Sequence, residues 1–231
     1  MRSPCFGRWL VIGGCLFLGL GLAPAAPIPS QTPAPQGEQV QQRETSRPYT
    51  GDFSIFEYKG RDRKLHVDRV MDILGIVPGR TVADIGAGSG WFSVRAARRV
   101  MPAGLVYAVD INPEAIRYVQ DRVVREGVSN VRTILSRPKD PLLPAGSVNA
   151  VLLLKTYHEV ADPVALMKSL RQALRPNARV GIIDRNGNGE DHGVGQNIVV
   201  REVEQAGYKL VGEYDFVKSD GEDYFLVFAP R

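Results

Sequence analysis

The chain has 231 residues, 44% of them apolar, 23% charged and 8% aromatic. That composition is globular and long enough for one sizeable core, which excludes a mainly disordered or fibrous chain and a multi-span membrane protein. The formal charge is +4, half of it carried by Arg2 and Arg8, and the remaining cations form no basic stripe, so no nucleic-acid partner is expected.

Residues 1–8 carry those two arginines, residues 9–22 are uncharged and mostly apolar, and Ala23-Pro24-Ala25 offers the small residues of a signal-peptidase site. The apolar run falls short of the roughly 20 residues a spanning helix needs, and Pro24, Pro27 and Pro29 block its extension. Residues 1–25 therefore read as a cleaved export signal, for a periplasmic or secreted protein. The alternative is an uncleaved anchor, with any membrane association made through this segment alone. Ile12-Gly13-Gly14-Cys15 is similar to a lipoprotein cleavage box, but the short apolar stretch before it makes lipidation the weaker account.

Both cysteines, Cys5 and Cys15, lie in that segment. A mature chain would have none, which removes disulfides, a thiolate nucleophile and Cys-ligated zinc together. With only His66, His158 and His192 as imidazoles, no metal site is expected. Residues 26–48 are rich in Pro and Gln without apolar periodicity, and read as a disordered tether. The folded domain, 49–231, begins near Tyr49 to Asp52.

Within it, Leu65, Val70, Ile73 and Leu74 suit a first helix ending at Gly75. Residues 81–85, 105–110, 131–135, 148–154 and 179–184 read as five strands, the fourth continuous in apolar residues, as a strand covered on both faces should be. Between them, Phe92, Ala96 and Val100 share one helix face; Ile116, Val119 and Val123 share another, and Leu166, Leu170 and Leu174 a third. A helix over 197–206 and two late strands, 208–214 and 223–229, complete the chain. This alternation predicts an α/β fold: an open, mostly parallel sheet with helices on both faces and a ligand beyond the carboxyl ends of the strands.

Asp84-Ile85-Gly86-Ala87-Gly88-Ser89-Gly90 leaves the first strand and opens a helix, and Asp110 ends the second strand. A carboxylate at that point is placed to accept both hydrogens of a ribose diol, and Ile111 beside it to cover a flat base. The loop spacing is G-x-G-x-G after an acid, not the G-x-G-x-x-G of a dinucleotide site. Asp84 would repel a pyrophosphate, whereas it suits a ligand with an ammonium group. S-adenosylmethionine carries a ribose, an ammonium and a sulfonium, so acids at both ends of its site make physical sense.

Val82 to Phe92 and Tyr107 to Ile111 resemble class I S-adenosylmethionine-dependent methyltransferases. The resemblance runs on through Leu143 to Val148, Tyr157-His158-Glu159-Val160 and Leu170 to Pro176, and spans about residues 60–231. It lies nearest to small bacterial methyltransferases of the ubiquinone/menaquinone-biosynthesis-like group. It implies a Rossmann-like sheet of seven strands, mostly parallel with an antiparallel terminal strand. It also implies S-adenosyl-L-methionine as cofactor, with Asp84, Gly86, Ala87, Gly88 and Gly90 around its methionine part, Asp110 on the ribose and Ile111 on the adenine. Where many relatives carry an adenine-contacting Asp after the third strand this chain has Arg137, so backbone or Asp140 would substitute. The Gly-Gly that follows the Leu-Arg-Pro turn in relatives is replaced by Asn177-Ala178.

The candidate chemical region is Lys155-Thr156-Tyr157-His158-Glu159. It lacks the Asp/Asn-Pro-Pro-Tyr of enzymes that methylate amides or base amino groups. His158 is the catalytic candidate, as a general base oriented by Glu159 or Glu57, with a backbone-bonding role as the bland alternative. Phe53, Phe56 and Tyr58 would close a lid or, more simply, anchor the N-terminal arm. An EF-hand over 184–190 fails on its acid spacing. The expected activity is methyl transfer to a small-molecule acceptor. The alternatives are a non-catalytic nucleoside- or partner-binding module and an NAD(P)-dependent oxidoreductase. Export and a cofactor made in the cytosol pull against each other, which favours the non-catalytic alternative to that extent. Sequence leaves the acceptor and the oligomeric state open.

Overall fold

Among the described residues, seven strands form one sheet: β1 (Thr81–Ile85), β2 (Leu105–Asp110), β3 (Val131–Leu135), β4 (Val148–Leu154), β5 (Leu174–Arg185), β6 (Tyr208–Tyr214) and β7 (Asp223–Pro230). Their order is β3-β2-β1-β4-β5-β7-β6. β3 to β5 run parallel, and β7 slots between β5 and β6 antiparallel to both. This is the expected seven-stranded Rossmann-like sheet with its antiparallel last strand. The computed structural model describes residues 43–45, 48–187, 192–217 and 222–231. The expected signal 1–25 and most of the expected tether 26–48 lie outside the described residues. Among the described residues, no helix is long and apolar enough to cross a membrane.

Among the described residues, six α-helices accompany the strands: α1 (Arg61–Leu65), α2 (Val67–Ile73), α3 (Trp91–Val100), α4 (Pro113–Arg125), α5 (Pro163–Ala173) and α6 (Gln196–Gln205). The two faces of the sheet fill separately. Val82, Leu152 and Phe225 pack with Phe92, Ala96 and Val100 of α3. Ala83, Val151 and Phe228 pack on the other side with Leu170 of α5 and Val199 of α6. Strand alternation sends neighbours such as Val82 and Ala83 to opposite layers. Each fully buried large side chain contributes about 1.5–3 kcal/mol.

Two expectations are corrected. The first helix is broken in two at His66, which sits in the left-handed region (φ 46°, ψ 48°). Leu65 and Val67 are both buried, and residues two apart cannot share a helix face, so the kink turns both inward. Leu174 does not continue the face of α5 but begins β5, pairing with Val148. Pro176 explains this, because Arg175 before it is pushed out of helical geometry and the chain leaves the helix early. β5 is therefore longer at its start than the expected 179–184.

β1 lies between β2 and β4, and the chain winds outward from it in both directions. The crevice beyond the carboxyl ends of β1 and β4 is thus the switch point where such sheets bind ligands.

Candidate functional site

β1 ends on Asp84 and Ile85, and the chain turns through Gly86 (φ 72°), Gly88 (φ 52°) and Gly90 (φ 69°) into α3. At Gly86 a side chain is excluded twice over. The backbone is left-handed, and a Cβ would stand 2.3 Å from the Thr156 methyl in the loop after β4. The backbone N–H groups of Gly86 and Ala87 both donate to Val109 O, at 2.8 and 3.0 Å, which ties the loop to the end of β2.

Asp84 is 2% exposed and accepts a 2.6 Å hydrogen bond from Ser93 Oγ on α3. Burial pushes its carboxyl up to about 6, against the lowering effects of Ser93 and the Arg61 guanidinium. Arg61 lies over the Trp91 ring, 4.4 Å from its centroid, and donates to Phe56 O. One buried acid from β1 and one cation from α1 therefore stand against α3, the helix that the glycine loop opens.

Asp110 ends β2 as expected. Its Oδ2 accepts from Gly88 N at 2.9 Å and its Oδ1 from Asn112 N at 2.9 Å. Burial raises its carboxyl above the ordinary range although those backbone donors pull it down. Each oxygen keeps a second lone pair for a ligand hydroxyl. Ile111 beside it is 44% exposed, an uncovered apolar side chain next to Asp110. Asn112 caps α4 and donates from Nδ2 to Tyr49 O at 2.6 Å. Tyr49 stands edge-on to Phe53 and Phe56, and Phe53 packs on Tyr118. In this geometry Tyr49, Phe53 and Phe56 anchor the N-terminal arm beside Asp110. Asp140 is committed elsewhere: its Oδ1 accepts from Leu142 N and Ser169 Oγ, each at 2.9 Å.

His158 lies in the 3-10 turn Tyr157–Glu159 after β4. Its backbone N–H donates to Asp184 Oδ2 at 3.0 Å, and its ring Nδ1 stands 2.8 Å from Asp184 Oδ1. One partner, Asp184, therefore holds both the backbone and the ring of His158, in place of the expected Glu159 or Glu57. That partner was missed. Asp184 is wholly buried near the end of β5 and also accepts from Arg185 N at 2.8 Å. A carboxylate only accepts, so Nδ1 carries the hydrogen and Nε2 of the neutral ring offers its lone pair outward. Glu159 is near, 3.5 Å from Nε2. Glu57 does not orient the ring. It pairs with Arg122 and accepts from Tyr118 Oη at 3.0 Å.

His192 approaches from the loop after β5, with Nδ1 3.5 Å from Glu159 Oε1 and its ring 6.2 Å from that of His158. Two of the three imidazoles thus converge although 34 residues of sequence separate them. Tyr157 is fully buried and its carbonyl accepts from Arg43 Nη1 at 2.9 Å, a packing role. His66 stacks edge-on with Phe216, away from this group. A separate groove of about 880 Å³, lined by Lys168, Arg171, Arg175 and Lys209 among others, opens where β5 and β6 begin, at the far end of the sheet from these acids.

Comparison with known proteins bears on this geometry. Residues 82–177, which run from β1 to β5, match a family model described as "Methyltransferase domain". Nocamycin O-methyltransferase of Saccharothrix syringae is 31% identical over 114 residues, 49% of this chain and 41% of that protein. The ubiquinone/menaquinone biosynthesis C-methyltransferase UbiE of Pasteurella multocida is 25% identical over 115 residues, 49% of this chain and 45% of its own length. The chain thus spans less than half the length of these curated relatives. The crystal structure of a SAM-dependent methyltransferase from Aquifex aeolicus superposes with a TM-score of 0.70 at 23% identity, covering 78% of this chain and 98% of that one, and so shares its fold.

Proposed function

We propose that this chain, whose residues 82–177 carry the match to a methyltransferase domain, binds S-adenosyl-L-methionine in the crevice and transfers its methyl group to a small-molecule acceptor. The observation that carries the reading is the pair of strand-ending carboxylates, Asp84 and Asp110, on either side of side-chain-free backbone at Gly86 and Gly88. The donor set fits the cofactor. Asp110 has lone pairs for two ribose hydroxyls, Ile111 an apolar surface for adenine, Asp84 a buried charge for an ammonium, and Arg61 a cation for the methionine carboxylate.

The cofactor supplies a methyl group already activated on a sulfonium. Once bound, it would give its methyl carbon to the acceptor heteroatom and keep the carbon–sulfur electron pair on sulfur. The residues of the chain position the two partners in line and exclude water. His158 Nε2 takes the acceptor's proton, and Asp184 holds the ring in the tautomer that leaves that nitrogen free to do so. Asp184 is a positioning residue in this scheme.

Titrating the protein calorimetrically with S-adenosylmethionine and separately with NADH tests the cofactor. Saturable binding of the first and none of the second is expected. Tight NADH binding alone would overturn the reading. With an acceptor that supports turnover, His158→Gln and Asp184→Asn are each expected to lower kcat by about 10²-fold or more while leaving S-adenosylmethionine affinity unchanged. Full turnover in either variant would return the dyad to a structural role.

A further inference from the structure

We propose that His158 Nε2, the Glu159 carboxylate and a ring nitrogen of His192 form a binding site for one divalent cation of the zinc class, at the mouth of the crevice. One ligand atom from each of the three lies within 4.8 Å of the other two. Both measured edges of the triangle, from Glu159 Oε1 to His158 Nε2 and to His192 Nδ1, are 3.5 Å. Tetrahedral coordination with bonds of about 2.0–2.1 Å sets neighbouring ligand atoms roughly 3.4 Å apart, so those edges already have the required length. His192 is 75% exposed, and rotating its side chain closes the third edge without moving the core.

Two further features point to a cation. The buried Asp184 carboxylate behind the His158 ring, 2.8 Å from Nδ1, is the usual outer support of a ligating histidine, which fixes its orientation and raises its basicity. Two borderline imidazoles beside one carboxylate, finally, make a donor set that suits zinc, cobalt or nickel better than magnesium or calcium. Three protein ligands leave a position open toward the crevice. An ion there and a proton taken up by Nε2 exclude one another, so metal loading and the His158 role proposed above are alternative states of one nitrogen.

The test needs neither cofactor nor acceptor, so its failure and failure of the methyl-transfer reading remain distinguishable. Chelator-treated full-length protein is titrated with zinc chloride alone by calorimetry, and with cobalt chloride by visible absorption. One ion per chain is expected, with His192→Ala and Glu159→Gln each weakening it at least about tenfold, no less than loss of an outer-shell partner costs. His66→Ala should leave it intact. Absence of zinc binding, or binding retained in full by both the His192 and Glu159 variants, would overturn the site. His192 and Glu159 are surface-accessible, so both variants are expected to fold, and melting curves check this.

Discussion

Asp110→Ala is expected to fold normally and to lose S-adenosylmethionine binding by at least about 100-fold. The side chain stands at the last residue of β2, where the strand pairing of Asp110 with Leu135 is made by backbone and survives truncation. Two hydrogen bonds from ribose hydroxyls to an ionised carboxylate contribute about 1.5–3 kcal/mol each, and their joint loss corresponds to roughly 10²–10⁴ in affinity. A second loss adds to this. Asp110 Oδ2 is the partner of Gly88 N, so without it the middle of the glycine loop is no longer held against β2. Stability should change little, because removing a carboxyl that burial raises offsets the two backbone hydrogen bonds forfeited. Calorimetric titration beside a thermal melt separates the two effects. An affinity equal to that of the parent protein would remove Asp110 from the ribose.

Much of this site was legible because its parts are local. A strand, an acid, glycines at fixed spacing and a following helix occupy one short stretch, and Asp110 follows from the next strand's end. The strands were legible for the same reason, β4 most plainly, since a continuous apolar run covered on both faces admits few other readings. What escaped was non-local or hinged on one residue's backbone. Asp184 stands next to last in its strand, as Asp84 does in β1, yet its role depends on β5 lying beside β4, which only the sheet order supplies. Glu57 looked as available to His158 as any acid, until Arg122 and Tyr118 claimed it. The meeting of His158 with His192 needs the return of the loop after β5 and has no periodic signature. The break at His66 left its trace only in the demand that Leu65 and Val67 both be buried.

Asp84→Asn is expected to stabilise the protein near neutral pH while weakening S-adenosylmethionine. The folded-state carboxyl is raised from 3.8 to about 6 because burial penalises its charge. Well below pH 3.8 the carboxyl is protonated in folded and unfolded chains alike and carries no penalty. As pH rises toward 6 the unfolded chain releases its proton first. The stability contributed by the protonated folded form is then lost progressively, reaching about 3 kcal/mol by pH 7. Asparagine keeps an oxygen for Ser93 Oγ and has no charge to desolvate, so the variant should melt several degrees higher at pH 7–8, by a margin that shrinks toward pH 5. Binding should show the opposite dependence. Holding an ammonium requires the ionised acid, so the parent protein's affinity should rise about tenfold between pH 5 and 7, below the range in which α-amino groups titrate. The variant's affinity should be weaker and flat across that interval. The paired measurement, melts and titrations of both proteins across pH 5 to 8, decides whether the buried charge at the end of β1 is retained for the ligand at the expense of the fold. A variant that melts lower than the parent at neutral pH, or a parent affinity indifferent to pH, would show that it is not.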